Sequence, residues 1–264
     1  MVALFNTILY QPIFNLFVWL YNIIPGHDVG VVIIIITIFV RLILYPLTSS
    51  SIKAQRSMQE IQPKMNEIKK QYAGDQQKQT QAIMELYKNN KVNPFSSCLP
   101  LIIQLLILIA LYTVLRDALA SSNLATNLYS FVANPGTISS MSFGIFDMAK
   151  PNIVLAVLAG AAQFWQAKTL VRKQPPKEAG AGGKDEAMMS MMNKQMLYFM
   201  PILTVVIGIG LPAGLTLYWF FGTVLMALQQ ILLNKKTSEP GSPAAPAVPP
   251  TPPITPPTTS NPTV

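Results

Sequence analysis

The chain has 264 residues, 51% of them apolar and 11% charged, with a formal net charge of +8. Soluble domains carry about a quarter of charged residues, and several apolar runs here approach the ~20 residues of a bilayer crossing, which excludes a soluble globular protein. Cys98 is the only cysteine and His27 the only histidine. An intrachain disulfide is therefore ruled out, and the counts argue against metal-ligand clusters and His-based nucleophilic triads. The basic residues gather in particular loops, which is a topology signal rather than a nucleic-acid footprint.

Residues 1–28 open with Ala3 to Ile24, an apolar stretch interrupted by Asn6, Gln11, Pro12 and Asn15. No Lys or Arg precedes it, so it does not read as a secretory signal peptide. The expectation is a helix lying in the outer interface with Trp19 and Tyr21 as headgroup anchors, a sixth spanning helix being the alternative. Gly26-His27-Asp28 then breaks the chain.

Residues 29–50 read as the first transmembrane helix. Arg41 lies inside its apolar run, where a central arginine makes insertion less favourable by about 2.5–3.5 kcal/mol. Thr37 and Tyr45 lie one turn to either side of Arg41, so the three share a helix face. A polar stripe of this kind points to a groove. The alternative is snorkelling, because Leu47 at the end of the run is only roughly 9 Å away at helical rise.

Residues 51–93 change character. Met58, Ile61, Met65, Ile68 and Tyr72 recur at alternating three and four spacing, the signature of a helix with one apolar seam. Ala73-Gly74-Asp75 signals a turn, and Ile83, Leu86 and Tyr87 form the stripe of a second helix. The segment is expected as an antiparallel helical hairpin. Lys53, Arg56, Lys64, Lys69, Lys70, Lys78, Lys88 and Lys91 outnumber Glu60, Glu67, Asp75 and Glu85, which places it in the cytoplasm.

Residues 94–116 form the second crossing, with Gln104 inside it. The loop 117–151 is rich in Ser, Asn and Thr, has Lys150 as its only lysine, and fits the extracytoplasmic side. Residues 152–171 form the third crossing, in which Asn152, Gln163 and Gln166 fall on one face near a three-turn repeat. Ala156, Ala159 and Gly160 share that stripe, so tight helix packing competes with a polar role. Amides on two helices together with Arg41 resemble a shared hydrated groove more than separate packing features.

Arg172, Lys173, Lys177, Lys184 and Lys194 return the chain to the cytoplasm over 172–195. Residues 196–211 and 212–234 form a transmembrane hairpin turned at Pro212-Ala213-Gly214, its first arm short for a bilayer. Gly208-Ile-Gly-Leu-Pro-Ala-Gly lacks the strand and the Lys-Ser/Thr of a phosphate loop. Methionines 188, 189, 191, 192, 196 and 200 either fill a helix or offer an adaptable apolar surface. Residues 235–264 are Pro-, Thr-, Ala- and Ser-rich and cannot build a core. The fold expected is an all-α polytopic membrane protein, with five transmembrane helices around a polar groove and a cytoplasmic antiparallel helical hairpin.

Ordered motifs lie where the hairpin meets the second crossing: Glu85-Leu-Tyr-Lys-Asn-Asn-Lys-Val-Asn-Pro, then Ser97-Cys98-Leu99-Pro100-Leu-Ile-Ile-Gln104. With Val40-Arg41-Leu-Ile-Leu-Tyr-Pro46-Leu47-Thr48, Met58-Gln-Glu-Ile-Gln62-Pro63, Met200-Pro201 and Pro212-Ala-Gly-Leu-Thr-Leu-Tyr218-Trp219, the chain resembles the YidC/Oxa/Albino family of membrane protein insertases from about Tyr10 to Leu233. Ser97 stands where that pattern has Gly, and Leu106 and Leu108 where it commonly has Pro and Phe. The tail lacks the basic character that some members use at the ribosome.

The resemblance implies that Arg41 is the groove arginine, Thr37 its companion, and Gln104 and Tyr218 polar and aromatic positions along the substrate path. It implies an insertase and chaperone, not an enzyme. Such a protein captures hydrophobic segments of newly made proteins in a hydrophilic groove and releases them laterally into lipid. Tyr45, Gln163 and Gln166 join the candidate groove from the spacing argument above. Nascent membrane proteins and the bilayer are the implied partners, with the Sec translocon and the ribosome as further candidates. No cofactor, metal or nucleic-acid specificity is expected, and the location expected is the bacterial cytoplasmic membrane, with hairpin and tail in the cytoplasm. A small-solute transporter or channel using the same groove, and an assembly scaffold, are the competing readings. Neither an inverted repeat nor a buried acid in any crossing supports the transporter.

Overall fold

The computed structural model describes residues 2–93, 99–120, 124–170 and 195–238. The expectations for residues 94–98, for the basic, methionine-rich segment 172–194 and for the tail beyond Ser238 lie outside the described residues. Helix α1 (Ala3–Ile23) runs unbroken through a wide π-turn at Asn6–Tyr10. It is followed by α2 (Val29–Ile43), α3 (Tyr45–Glu60), α4 (Gln62–Gln71) and α5 (Gln76–Asn89). Next come α6 (Leu99–Ala120), the single turn α7 (Leu124–Asn127), strands β1 (Met141–Ser142) and β2 (Phe146–Asp147), and α8 (Ile153–Leu170). A π-turn at Gln195–Phe199 leads into α9 (Met200–Gly210), and α10 (Ala213–Ser238) closes the described chain. Among the described residues α1, Ile102–Ala120 and Ala213–Lys235 are long and apolar enough to cross a membrane, and α2 with α3 qualifies as a fourth, bent span.

That bend departs from the single helix expected over residues 29–50. Helices α2 and α3 meet at 65° around Leu44. Pro46 has no N–H to continue the ladder, and its ring would clash with the preceding turn. The Tyr45 carbonyl, in the first turn of α3, accepts from the side-chain amide of Gln229 on α10 at 3.2 Å. The same amide nitrogen lies 2.9 Å from both Thr48 Oγ1 and Ser49 Oγ. One glutamine therefore holds the corner. The helix expected through Tyr72 is also interrupted, at Ile61, with Pro63 in the first turn of α4. Helices α4 and α5 fold back on each other, Tyr87 Oη donating to Met65 Sδ at 3.4 Å and Gln79 Nε2 to the Lys69 carbonyl. Ile61 and Leu86 are buried there.

Helix α10 packs along α8 and α2, and α9 packs along α8. The seam between α8 and α9 is made of small residues. A Cβ at Gly160 would collide with Val205, and one at Gly208 would lie 3.1 Å from the Ala156 Cβ. Ala156, Ala159 and Gly160 are thus used for close helix approach, one of the roles the sequence left open for them. Asn152 is a cap, its Oδ1 accepting from Val154 N at 3.0 Å and Leu155 N at 3.2 Å.

The loop expected over 117–151 is more ordered than its composition suggests. Helix α6 extends through Arg116 and Asp117 to Ala120, and β1 pairs antiparallel with β2, Met141 opposite Asp147 and Ser142 opposite Phe146. This hairpin adds a small sheet to the helical fold expected. It sits on the N-terminus of α2. Asp28 caps that helix by accepting from Gly30 N at 2.8 Å and Val31 N at 3.2 Å, and it also accepts from Phe143 N at 2.6 Å and from the Ser142 hydroxyl. The α9–α10 turn is tied in by Ala213 N to Lys150 O at 2.8 Å and Gly214 N to Met148 O at 3.0 Å.

Helix α1 lies against the same region over its length. Tyr10 Oη donates to Asp117 Oδ2 at 2.8 Å, Asn15 Nδ2 to the Asn127 carbonyl at 3.0 Å, and Asn22 Nδ2 to the Ala133 carbonyl at 2.7 Å. Ser139 N donates to Tyr21 Oη at 3.0 Å. Phe14, Phe17 and Val18 are fully buried beneath it, while Leu4, Ile8, Trp19 and Ile23 face outward.

Burial raises the Asp28 carboxyl, but hydrogen bonds from Ser142, Phe143, Val31 and Gly30 outweigh it and hold the pKa below the ordinary carboxylate value. The stability this lends is present above the unfolded value of ~3.9 and is lost as pH falls through the lower folded value. The protection factors of the Gly30 and Phe143 amides, corrected for intrinsic exchange, are therefore expected to fall below about pH 4, and Asp28→Asn to remove that acid sensitivity. A flat pH profile in the wild type would contradict the latch. Gln229→Leu, which keeps the volume and deletes the amide, is expected to cost about 1–3 kcal/mol. It should also broaden spin-label distances between α4 and α9; unchanged distances would mean Pro46 alone sets the bend.

Candidate functional site

Arg41 occupies the last turn of α2, just before the bend. The carbonyls at a helix C-terminus favour a cation there by about 0.3–1 kcal/mol. Its side chain crosses toward α6 and α10. Nη2 donates to Gln104 Oε1 at 3.1 Å, and Gln104 Nε2 donates onward to Tyr218 Oη at 3.1 Å. Nη1 lies 3.8 Å from Met226 Sδ, a weak acceptor. Among the described residues no carboxylate pairs with Arg41, whereas Lys78–Asp75, Arg116–Asp117 and Lys150–Asp147 do form ion pairs.

Helix α10 supplies the floor of this arrangement. Tyr218, Gly222 and Met226 recur every four residues, so they share one face. Tyr218 is 1% exposed and anchors the network from below. Gly222 leaves the room: a Cβ there would lie 3.0 Å from Arg41 Nη2 and 3.5 Å from Nε. The guanidinium thus rests against bare backbone, one edge held by neutral groups and its other N–H donors free of carboxylate. Such a fork binds a carboxylate or phosphate bidentately. It contains no nucleophile. The described residues also hold no group of three His, Cys, Asp or Glu side chains able to ligate a metal.

The other residues named from the sequence are placed differently. Thr37 is fully buried one turn from Arg41, with its hydroxyl donated to the Ile33 carbonyl of its own helix. Tyr45 lies beyond the bend, 42% exposed, and its backbone rather than its ring is engaged. Gln166 is buried on α8 and Gln163 half-buried, and no hydrogen bond joins either to the Arg41 chain among the described residues. Gly222, Met226 and Gln229 were not singled out by sequence. The four-residue spacing from Tyr218 through Gly222 to Met226 was the available signal.

A family model described as 60Kd inner membrane protein matches residues 19–240. The chain is 35% identical to the membrane protein insertase YidC of Oceanobacillus iheyensis over 240 residues, covering 88% of this chain and 84% of that one. It is 36% identical to the YidC of Fusobacterium nucleatum subsp. nucleatum over 207 residues, 78% of this chain and 86% of the relative. Against the YidC of Clostridium tetani it is 36% identical over 212 residues, 80% and 84% of the two chains. The chain therefore belongs to the 60Kd inner membrane protein family, alongside these YidC insertases.

Proposed function

We propose that this chain is a membrane protein insertase of the bacterial cytoplasmic membrane. Arg41, linked through Gln104 to Tyr218 and free of any carboxylate among the described residues, is the observation that carries the reading. An inserting protein must bring polar flanks through hydrocarbon, where each unsatisfied backbone group costs several kcal/mol. A cation at bilayer depth draws acidic residues of the translocating segment more strongly than it would in water. The apolar segment then partitions into lipid beside the groove, driven by its own burial. No covalent bond changes, so no catalytic residue is required.

The topology proposed has five crossings, counting bent α2–α3 and short α9 among them, with α4–α5 in the cytoplasm on the strength of its lysines. Helix α1 is assigned to the outer interface. Bonds from Tyr10 through Asn15 and Tyr21 to Asn22 all reach the segment 117–139, which supports a helix whose last two-thirds lies across that end. Tyr45, Gln163 and Gln166 belong to the outer wall of the groove, and Thr37 supports the Arg41 turn. Nascent membrane proteins are the clients, with the Sec translocon and the ribosome as candidate partners.

Arg41→Ala is expected to slow insertion of clients with acidic translocated tails about tenfold more than clients with neutral tails, corresponding to ~1.4 kcal/mol of lost attraction. Insertion into proteoliposomes, scored by protease protection, measures it; equal slowing of both classes would remove the electrostatic role. Deleting residues 52–92 is expected to abolish insertion while the crossings still fold. Full activity in that variant would show the arm to be dispensable, and solute flux through the wild type would favour a transporter.

A further inference from the structure

The α6–α10 crevice at the loop end lies outside the Arg41 network. It is a half-open hollow of about 370 Å³ between Tyr112, Leu115 and Leu119 on one side and Pro212 and Leu215 on the other, with Arg116 at its rim. Arg116 is one turn from the end of the spanning segment Ile102–Ala120, the depth at which hydrocarbon gives way to headgroups. We propose that this crevice binds a phospholipid, its phosphodiester on the Arg116 guanidinium and one acyl chain along Tyr112, Leu115 and Leu215.

The guanidinium is oriented for that purpose. Arg116 Nε donates to Asp117 Oδ1 at 3.0 Å, and the other oxygen of Asp117 accepts from Tyr10 Oη at 2.8 Å. Tyr10 thus fixes the carboxylate, and the carboxylate fixes the arginine by one nitrogen. Neither Nη group has a partner among the described residues, and two such donors match two phosphodiester oxygens. The Arg116 side chain remains 62% exposed, so a headgroup reaches it from the membrane surface.

The lining pairs an apolar floor of Tyr112, Leu115, Leu119 and Leu215 with a single cation at the rim, the arrangement of an acyl chain beneath a phosphate headgroup. Diffuse attraction is an insufficient explanation, because Asp28, Asp117 and Asp147 outnumber Arg116 and Lys150 at this end, and Lys150 is paired to Asp147 at 3.0 Å.

The test reconstitutes the full chain in phosphatidylcholine bilayers containing trace spin-labelled phosphatidylglycerol or spin-labelled diacylglycerol with the same chains. The motionally restricted fraction is expected to show phosphatidylglycerol associating about fivefold more strongly. Arg116→Gln should abolish that excess. Ala120→Phe, which fills the crevice and keeps the charge, should abolish it too. An excess that survives Arg116→Gln, or one that survives Ala120→Phe, overturns the site, the latter by assigning the preference to surface charge alone. Equal retention of both lipids by the wild type also overturns it, as does a photocrosslinker at position 112 that captures client polypeptide in place of lipid.

Discussion

An arginine held by neutral partners, with no carboxylate beside it among the described residues, is the constraint around which this bundle is organised. At a helix centre an arginine makes insertion less favourable by about 2.5–3.5 kcal/mol; Arg41 stands in the last turn of α2 and meets two neutral contacts. Had the fold placed a carboxylate beside it, the pair would be locked and chemically silent, because the attraction would be spent inside the protein. Gln104 instead offers one acceptor and spends its donor on Tyr218, so the guanidinium is oriented but not neutralised. The surrounding features follow from that need. The α2 C-terminus supplies favourable partial charge, Gly222 supplies space, and the bend at Leu44 ends the helix within a turn of the charge.

The two ends of the bundle are built from opposite materials. At one end, backbone pairs, the β-hairpin and the Asp28 cap close the helices over with short, directional bonds. At the other, a single glutamine amide braces a corner from which a charged helical arm departs. Closure by many backbone-level bonds at one end thus contrasts with a corner held by one side chain at the other. The small-residue seam between α8 and α9 brings those two helices into close approach.

Much of the helical pattern was legible because its causes are local. Apolar run length located α2, α6 and α10, and the heptad spacing with Gly74 located the arm. Arg41 stood out because nothing in its own segment accounts for it. Its pairing with Gln104 and Tyr218 depends on three helices meeting, which the spacing in one helix does not encode; Gln104 stood out as an amide inside an apolar run, and family likeness alone supplied Tyr218. The corner at Leu44 was missed although Pro46 is its visible cause, since a hydropathy run reads straight through a proline. The β-hairpin was missed for another reason. It rests on Phe143 and Gly144 at φ 52° and 71° and on Asp28 from a distant segment, and composition records only a polar loop. Gly222 matters for what it lacks, and an absent side chain leaves no pattern unless its neighbours at four-residue spacing are read with it.

The bonds from Ala213 and Gly214 to Lys150 and Met148 set an order of events for the protein's own birth. Everything from the amphipathic start through the hairpin can be synthesised and threaded while those carbonyls still lack their partners. Only when the ribosome has passed the α9–α10 turn does the far rim acquire its last stitches. Each new copy therefore leaves these two carbonyls unpaired until α9 and the start of α10 exist.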